Sequence, residues 1–421
     1  MLLIIILSSI PVLIWIMMSP LSLRFNDFTT ITTSIGQLLG LVGMMLFSIN
    51  LILSSKLKIL DKYFKGLDKV YVNHQKIGAI AFSMILFHPI FLVIKYLAIS
   101  TQTAALFFVP FISPSVTWGI LSLLLMIILI IVTFYIKLKY HIWKMSHKFM
   151  IVAFVFTIIH VLLINSDTSR SHFLGFYIFI FAFTGLILSI RQSFFGKFLT
   201  KRINYKINKV SYLGGGITEI EMLPQGEKLL YKSGQFIFVN FIDKNIKNES
   251  HPFTISSSPQ NENLKLSIKS FGDYTNSIQN LSNSSLVKIE GPYGNFNYRN
   301  NNKNQIWIAG GIGITPFLSM ANDLDYDYKV DLYYCVKEGS EAVYINNFSD
   351  IASNNHNFKV NLWSSKDKGF INVDIIKNIS GTLVGKEIFI CGPKVFMESL
   401  KSQFVENGVD VNKIHYENFN F

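Results

Sequence analysis

Charge is scarce in this 421-residue chain, and cysteine is nearly absent. Asp, Glu, Lys and Arg make up 15% of it, against about 25% in soluble domains, while half of the residues are hydrophobic. That balance excludes a disordered chain, a collagen and a coiled coil. Two cysteines, Cys335 and Cys391, are too few for a disulfide scaffold. Both lie far from the apolar half, which points to a reducing compartment for the region that holds them. Acidic residues are the rarer sign: 38 Lys and Arg against 26 Asp and Glu leave a net +12. Such an excess suits a nucleic acid or a membrane surface. Its distribution decides, because many cations of residues 1–190 cluster between long apolar runs. That is a membrane pattern, and no nucleic-acid partner is expected. The length calls for two or three domains.

Six apolar stretches, near 2–19, 31–54, 74–99, 117–136, 149–165 and 173–190, approach the roughly 20 helical residues that cross a hydrocarbon core. The first has no basic n-region and no small-residue cleavage site, so it reads as a retained helix. Lys56, Lys58, Lys62, Lys65 and Lys69 follow the second stretch; Lys137, Lys139, Lys144 and Lys148 follow the fourth; Arg191, Lys197, Lys201 and Arg202 follow the sixth. The opposite loops carry little beyond Arg24 and Arg170. By the positive-inside rule the N-terminus and everything after residue 190 face the cytoplasm. A multi-pass protein of a plasma (bacterial inner) membrane is expected.

Histidine is rare within membrane helices and marks function by default. Taken singly, His74, His88, His147 and His160 are as well explained by interfacial or interhelical hydrogen bonds. Taken together they form a pattern. His74 and His88 are fourteen apart on the third stretch; His147 and His160 are thirteen apart on the fifth. At 1.5 Å per residue each separation is about 20 Å, which gives each helix one site near each face. Two ligands at one depth on facing helices suit the two axial positions of a haem iron, so these four are the expected metal ligands. Zinc is the weaker reading, with no carboxylate or thiolate nearby. Thirteen residues leave two rings ~140° apart on an ideal helix. The fifth helix must therefore be irregular, or its rings must approach their irons differently.

From about residue 201 short β-type runs alternate with Asn, Gly and Ser. The runs 234–241 and 264–269 read as strands of a small antiparallel barrel that ends near residue 300. Gln305 to Ala309 is a buried-strand run, followed by Gly310-Gly311-Ile312-Gly313-Ile314-Thr315-Pro316, a helix-like segment and a second strand, Val330 to Val336. Strand, glycine turn, Pro-started helix, strand is a nucleotide-binding unit. The loop His251-Pro252-Phe253-Thr254-Ile255-Ser256-Ser257 reads on its own as turn chemistry.

The whole chain resembles the NADPH oxidase and ferric reductase superfamily of membrane flavocytochromes. The four histidines resemble that family's paired haem ligands. His251, Pro252, Phe253 and Thr254 resemble its flavin loop, and Gly272-Asp273-Tyr274-Thr275 resembles the segment that holds the FAD pyrophosphate. Gly310, Gly311, Gly313, Thr315 and Pro316, with Cys391-Gly392-Pro393, resemble the two nicotinamide-nucleotide motifs, the cysteine lying by the nicotinamide. Ser256, Ser257 and Lys269 are counted with the cofactor contacts. In related reductases groups placed as Lys337, Ser365 and Lys366 hold a 2′-phosphate, which implies NADPH. A C-terminal aromatic, here Phe421, covers the flavin and gates access to it. Gln37 and Leu92 stand where superoxide-forming eukaryotic members carry an arginine and a histidine.

The resemblance implies a multi-domain membrane protein: a six-helix transmembrane bis-haem domain over 1–200, a ferredoxin-reductase-like FAD barrel over 201–302, and an α/β NADPH-binding domain over 303–421. It implies two haem b, FAD and NADPH, an external acceptor (dioxygen or a ferric chelate), and no obligatory protein partner. The absence of a calcium-binding extension looks like a bacterial, self-sufficient member. Reduction of dioxygen to superoxide leads. A ferric-chelate reductase and an electron-donating subunit for a periplasmic reductase stay open. A transporter with a histidine proton relay leaves the nucleotide half unexplained.

Overall fold

The computed structural model describes residues 1–64, 66–196, 200–299 and 301–417. The chain divides into two compact units, residues 1–60 with 70–199, and residues 61–69 with 200–421.

The first unit is helical: α1 (Leu2–Met17), α2 (Phe28–Leu53), α3 (Leu67–Leu97), α4 (Pro114–Phe134), α5 (Tyr140–Lys148), α6 (Met150–Leu163) and α7 (His172–Ile190). Among the described residues five helical stretches are long and apolar enough to cross a membrane: Phe28–Leu53, Leu67–Leu97, Pro114–Phe134, Ile142–Leu163 and His172–Phe195. The sequence called for six. The first, α1, has only 16 residues, about 24 Å at 1.5 Å per residue. Pro20 two residues beyond its cap stops it, since proline and the residue before it resist the helical conformation. The third and fifth stretches begin earlier than their apolar runs, because polar first turns join the same helices.

Helix α2 is the interior element. Every residue from Gly43 to Leu51 is buried. Its start is fixed by Asp27, whose side chain accepts from the Thr30 amide while Thr30 returns a bond to the Asp27 amide, a capping box. Helix α7 packs closely along it, since a Cβ at Gly185 would lie 2.7 Å from the Ser48 carbonyl oxygen.

Beyond the first turn of α2 lies a buried polar knot. Trp15 Nε1 donates to Asp167 Oδ2 at 2.9 Å. Arg24 Nη1 lies 3.4 Å from that same oxygen and 3.4 Å from Gln37 Oε1, and its guanidinium sits 3.8 Å over the Trp15 ring. Arg24 reads in sequence as a loop cation, yet it is 8% exposed.

The second unit carries two sheets. Strands β1 (Ile203–Gly214), β2 (Ile217–Pro224), β3 (Phe236–Ile242), β4 (His251–Thr254), β5 (Leu264–Lys269) and β6 (Leu286–Tyr293) pair antiparallel in the order β4-β3-β6-β1-β2-β5. A bridge between Ile255 and Leu266 joins the two ends, so the sheet closes into a barrel around Ile220, Ile237, Val239, Phe241, Leu266 and Ile289. Strands β7 (Asn304–Gly310), β8 (Lys329–Val336), β9 (Phe358–Ser364), β10 (Glu387–Cys391) and β11 (Ile414–Glu417) are parallel, in the order β11-β10-β7-β8-β9. Helices α8 (Thr315–Ala321), α9 (Ile345–Asn354), α10 (Val373–Ser380) and α11 (Lys394–Glu406) connect them. Strand order reverses at β7: the chain moves outward through β8 and β9, then returns to pair β10 on the other side.

Replacing Asp167 with alanine leaves Arg24 buried without its counter-charge, a loss of about 3–5 kcal/mol for a broken buried pair. Asp167→Ala is expected to lower the thermal midpoint of the detergent-solubilised protein clearly, whereas Ser169→Ala, on an exposed turn residue nearby, is expected to leave it nearly unchanged.

Candidate functional site

In the helical unit the four histidines form two pairs. The rings of His74 and His147 have centroids 6.2 Å apart with planes at 78°, and those of His88 and His160 are 6.5 Å apart at 72°. Two metal–nitrogen bonds of about 2 Å plus the half-widths of two imidazoles, roughly 1.1 Å each, span about 6.2 Å. One metal ion therefore fits between each pair. No group of three or more His, Cys, Asp or Glu suited to a metal occurs among the described residues, so neither pair is completed into an all-protein metal site.

Backbone carbonyls set the orientation of three rings. His88 Nδ1 lies 2.7 Å from the Gly36 carbonyl, His160 Nδ1 2.7 Å from Ser115, and His74 Nδ1 3.0 Å from Asn50. A carbonyl only accepts, so each Nδ1 carries the proton and each Nε2 keeps its lone pair for a metal. His147 differs: its Nδ1 is buried with no hydrogen-bond partner among the described residues, while Trp143 stacks on the ring at 5.7 Å and 14°.

Glycines make room for these rings. A Cβ at Gly40 would lie 2.7 Å from His88 Nδ1, and one at Gly119 would lie 3.0 Å from His160 Nδ1. In each case the accepting carbonyl belongs to the residue four before the glycine, one helical turn away on the same face. This repeated spacing was a signal available in the sequence.

Part of the phase mismatch between His147 and His160 is taken up at Phe149. Helix α5 ends there and α6 begins at Met150. The Phe149 amide bonds back to Ser146 at 3.0 Å, and Val152 bonds to Phe149 at 2.9 Å. These are three-residue turns, which advance about 120° per residue instead of 100°. The extra rotation brings the second ring round towards the first.

In the second unit the glycine turn lies at the carboxyl end of β7 and Cys391 at that of β10. These strands flank the topological switch point, where open α/β sheets bind ligands. The two turns interlock. A Cβ at Gly313 would lie 2.3 Å from the Cys391 carbonyl oxygen; one at Gly310 would meet Pro393 and Phe396 at 3.1 Å; one at Gly392 would meet the Gly310 Cα at 3.1 Å. Only glycine fits at 313, and the other two positions are tight for any side chain. Thr315 and Pro316 open α8, with proline in the first turn where its missing N–H costs nothing.

The flavin-loop residues gather on the barrel. His251 stacks on Tyr274 at 3.8 Å between centroids and its Nε2 lies 3.0 Å from Glu249 Oε2, so the loop and the 272–275 segment meet. Gly272 precedes a short helix, Asp273–Ser277, and Thr275 Oγ1 accepts from the Phe271 and Gly272 amides at 2.9 Å. Phe253 lies on β4 with Thr254 buried beside it. Ser256 Oγ accepts from Ser267, Ser257 Oγ accepts from the Lys265 amide and bonds to Tyr231, and Lys269 pairs with Glu341 at 3.3 Å. These last three therefore fasten the fold locally.

Lys337 follows β8 and Ser365-Lys366 follow β9. The Lys366 amide donates to the Lys337 carbonyl at 3.0 Å, which brings them together. Glu338, missed in sequence, holds Lys366 Nζ at 2.9 Å. Another missed group is Glu417, paired in register with Cys391. It is 2% exposed with Oε2 unpartnered, and burial raises its pKa well above the usual carboxylate range. Phe421 lies outside the described residues.

The comparisons with known proteins follow this division. Residues 39–158 match the profile of a ferric reductase like transmembrane component, residues 202–297 that of an FAD-binding domain, and residues 307–402 that of an oxidoreductase NAD-binding domain. The chain belongs to the NADPH oxidase and ferric reductase superfamily. It is 29% identical over 258 residues to dual oxidase 1 of Caenorhabditis elegans, covering 58% of this chain and 15% of that protein. It is 31% identical over 198 residues to ferric reduction oxidase 3, mitochondrial, of Arabidopsis thaliana, covering 45% and 25%. To the glycine betaine monooxygenase reductase subunit of Pseudomonas aeruginosa it is 26% identical, covering 47% and 58%. The chain thus spans between about a seventh and somewhat over half of these relatives. It joins a ferric-reductase-like transmembrane region to FAD-binding and NAD-binding oxidoreductase domains.

Burial raises the Cys391 thiol well above its ordinary range and pushes Cys335 up to about 12. Both are thiols, not thiolates, at neutral pH. Iodoacetamide at pH 8 is expected to leave both unmodified in the folded protein and to alkylate both after unfolding, as counted by mass spectrometry.

Proposed function

We propose that this protein carries electrons from cytosolic NADPH through FAD and two b-type haems to an acceptor across the membrane, with dioxygen giving superoxide as the leading reaction. The observation that carries this reading is the spacing of the two imidazole pairs, 6.2 and 6.5 Å, close to what two axial ligands on one iron require. When bound, FAD would accept hydride and part with single electrons, and the haems would carry them one at a time.

The chain's own residues supply position and exclusion. His74, His88 and His160 donate Nδ1–H to backbone carbonyls and keep Nε2 bare for iron. The glycine turns at the ends of β7 and β10 would offer backbone to a pyrophosphate, and the fully buried Cys391 would lie by the nicotinamide. Thr254 and Phe253 would face the flavin, and Phe421 would cover it. Lys337, Ser365 and Lys366 would hold the 2′-phosphate. The loop cations orient the bundle with the N-terminus and the flavin and nucleotide half in the cytoplasm, and α1 joins the five longer helices as a sixth, shorter one.

Likeness to a ferric reduction oxidase keeps ferric chelates as the second reading of the acceptor. Superoxide-dismutase-sensitive cytochrome c reduction, set against anaerobic reduction of ferric citrate by the same preparation, separates them. Dioxygen as acceptor predicts dismutase-sensitive turnover faster than ferric reduction; the reverse order would replace it.

His88→Leu is expected to remove one haem and leave the other, halving the reduced-minus-oxidised absorbance. Loss of both from a folded protein would contradict the separate pairs. For the nucleotide, the Lys337→Ala, Lys366→Ala double variant is expected to lose about tenfold or more of its NADPH efficiency, since charge-assisted phosphate bonds are strong, with NADH little changed. Glu338→Gln removes a carboxylate that competes for Lys366 and is expected to raise the NADPH-to-NADH ratio of kcat/KM.

A further inference from the structure

The two imidazole pairs are not equivalent. In the His88–His160 pair both rings give their Nδ1 proton to a carbonyl at 2.7 Å, and both are seated against glycine. In the other pair only His74 has such a bond, at 3.0 Å to Asn50. Among the described residues His147 Nδ1 is buried and has no hydrogen-bond partner. A metal-bound imidazole ordinarily has its second nitrogen fixed by an acceptor, which sets ring azimuth and ligand basicity. Something else must set the azimuth of His147.

Trp143 is placed to do so. It lies four residues earlier on α5, on the same helix face, and its ring is nearly parallel to the imidazole, 14° apart with centroids at 5.7 Å. Stacking fixes a plane as a hydrogen bond fixes a direction. The position is also one where the backbone alone does not suffice, because the helix breaks at Phe149, two residues after His147.

We propose that Trp143 is the positioning residue of the His74–His147 pair: its ring face sets the plane of a ligand that no carbonyl orients. This rests on the haem reading of the two pairs. It makes His147 the least constrained of the four ligands, and the haem of its pair the first to be lost and the one whose signal depends on an aromatic at 143.

The test compares Trp143→Leu with Trp143→Phe in the full-length protein, by low-temperature electron paramagnetic resonance of the ferric haems and by haem-to-protein ratio. Trp143→Leu is expected to shift the signal of the His74–His147 haem and to weaken its retention about 10–100-fold, the usual effect of losing an outer-shell partner. The His88–His160 signal is expected to stay in place, and Trp143→Phe to restore the wild-type spectrum. If Trp143→Leu fails to accumulate, Trp143→Met, which fills space without a ring face, is read in its stead. An unchanged His74–His147 signal in the ring-less variant overturns the proposal, as does equal loss at both pairs. A wild-type protein with no bis-imidazole haem spectrum overturns the haem reading itself, which is a different result.

Discussion

The helical unit depends on a rule about backbone carbonyls: they accept hydrogen bonds and never donate. Within an apolar bundle there is no water to satisfy an imidazole, so a histidine there must find a partner in protein. Gly36, Asn50 and Ser115 provide that partner through carbonyls already engaged in helices, each with a second lone pair to spare. The tautomer follows without any charged group. Nδ1 is protonated, and Nε2 keeps its lone pair. Gly40 and Gly119 then allow the ring to come this close, since any side chain there would strike it.

This explains why the membrane half can be so poor in charge. Ligand orientation comes from backbone dipoles and from missing Cβ atoms, both cheap to bury. The one buried ion pair described within this unit, Arg24 with Asp167, stands apart from the histidines in kind. It is reinforced by Trp15, which both donates to Asp167 and lies under the guanidinium. Burying two charges gains little net stability over an apolar substitute, but breaking the pair is costly. The knot therefore acts as a lock between α1, the turn before α2 and the turn before α7.

Much of this was legible in the sequence, and the parts that were not share a cause. Strands such as Leu264–Lys269 and the β7 run ending at Gly310 could be read directly, because periodicity and the glycine turn are local signals. The histidine pairing was legible through helical spacing, and the spacing even exposed a mismatch that the break at Phe149 answers. The first apolar stretch forms a helix of only 16 residues, because Pro20 limits it where the hydropathy runs on to Met18. Arg24 was taken for a solvated loop cation since its partner Asp167 is 143 residues away. Glu338 and Glu417 were missed for the same reason: Glu338 matters only beside Lys366, and Glu417 only beside Cys391, and neither neighbour is adjacent in sequence.

The reductase unit repeats the economy of the helical one in different geometry. At the switch point between β7 and β10 close approach again depends on backbone, where Gly310, Gly313 and Gly392 let the two turns pack together. A pyrophosphate carries its own charge, so the site needs amide donors and close approach more than it needs cations. Lys337 and Lys366 lie after β8 and β9, and Glu338 holds the Lys366 ammonium. Among the histidines, carbonyls fix three rings, and Trp143 stacks on the fourth beside the break at Phe149.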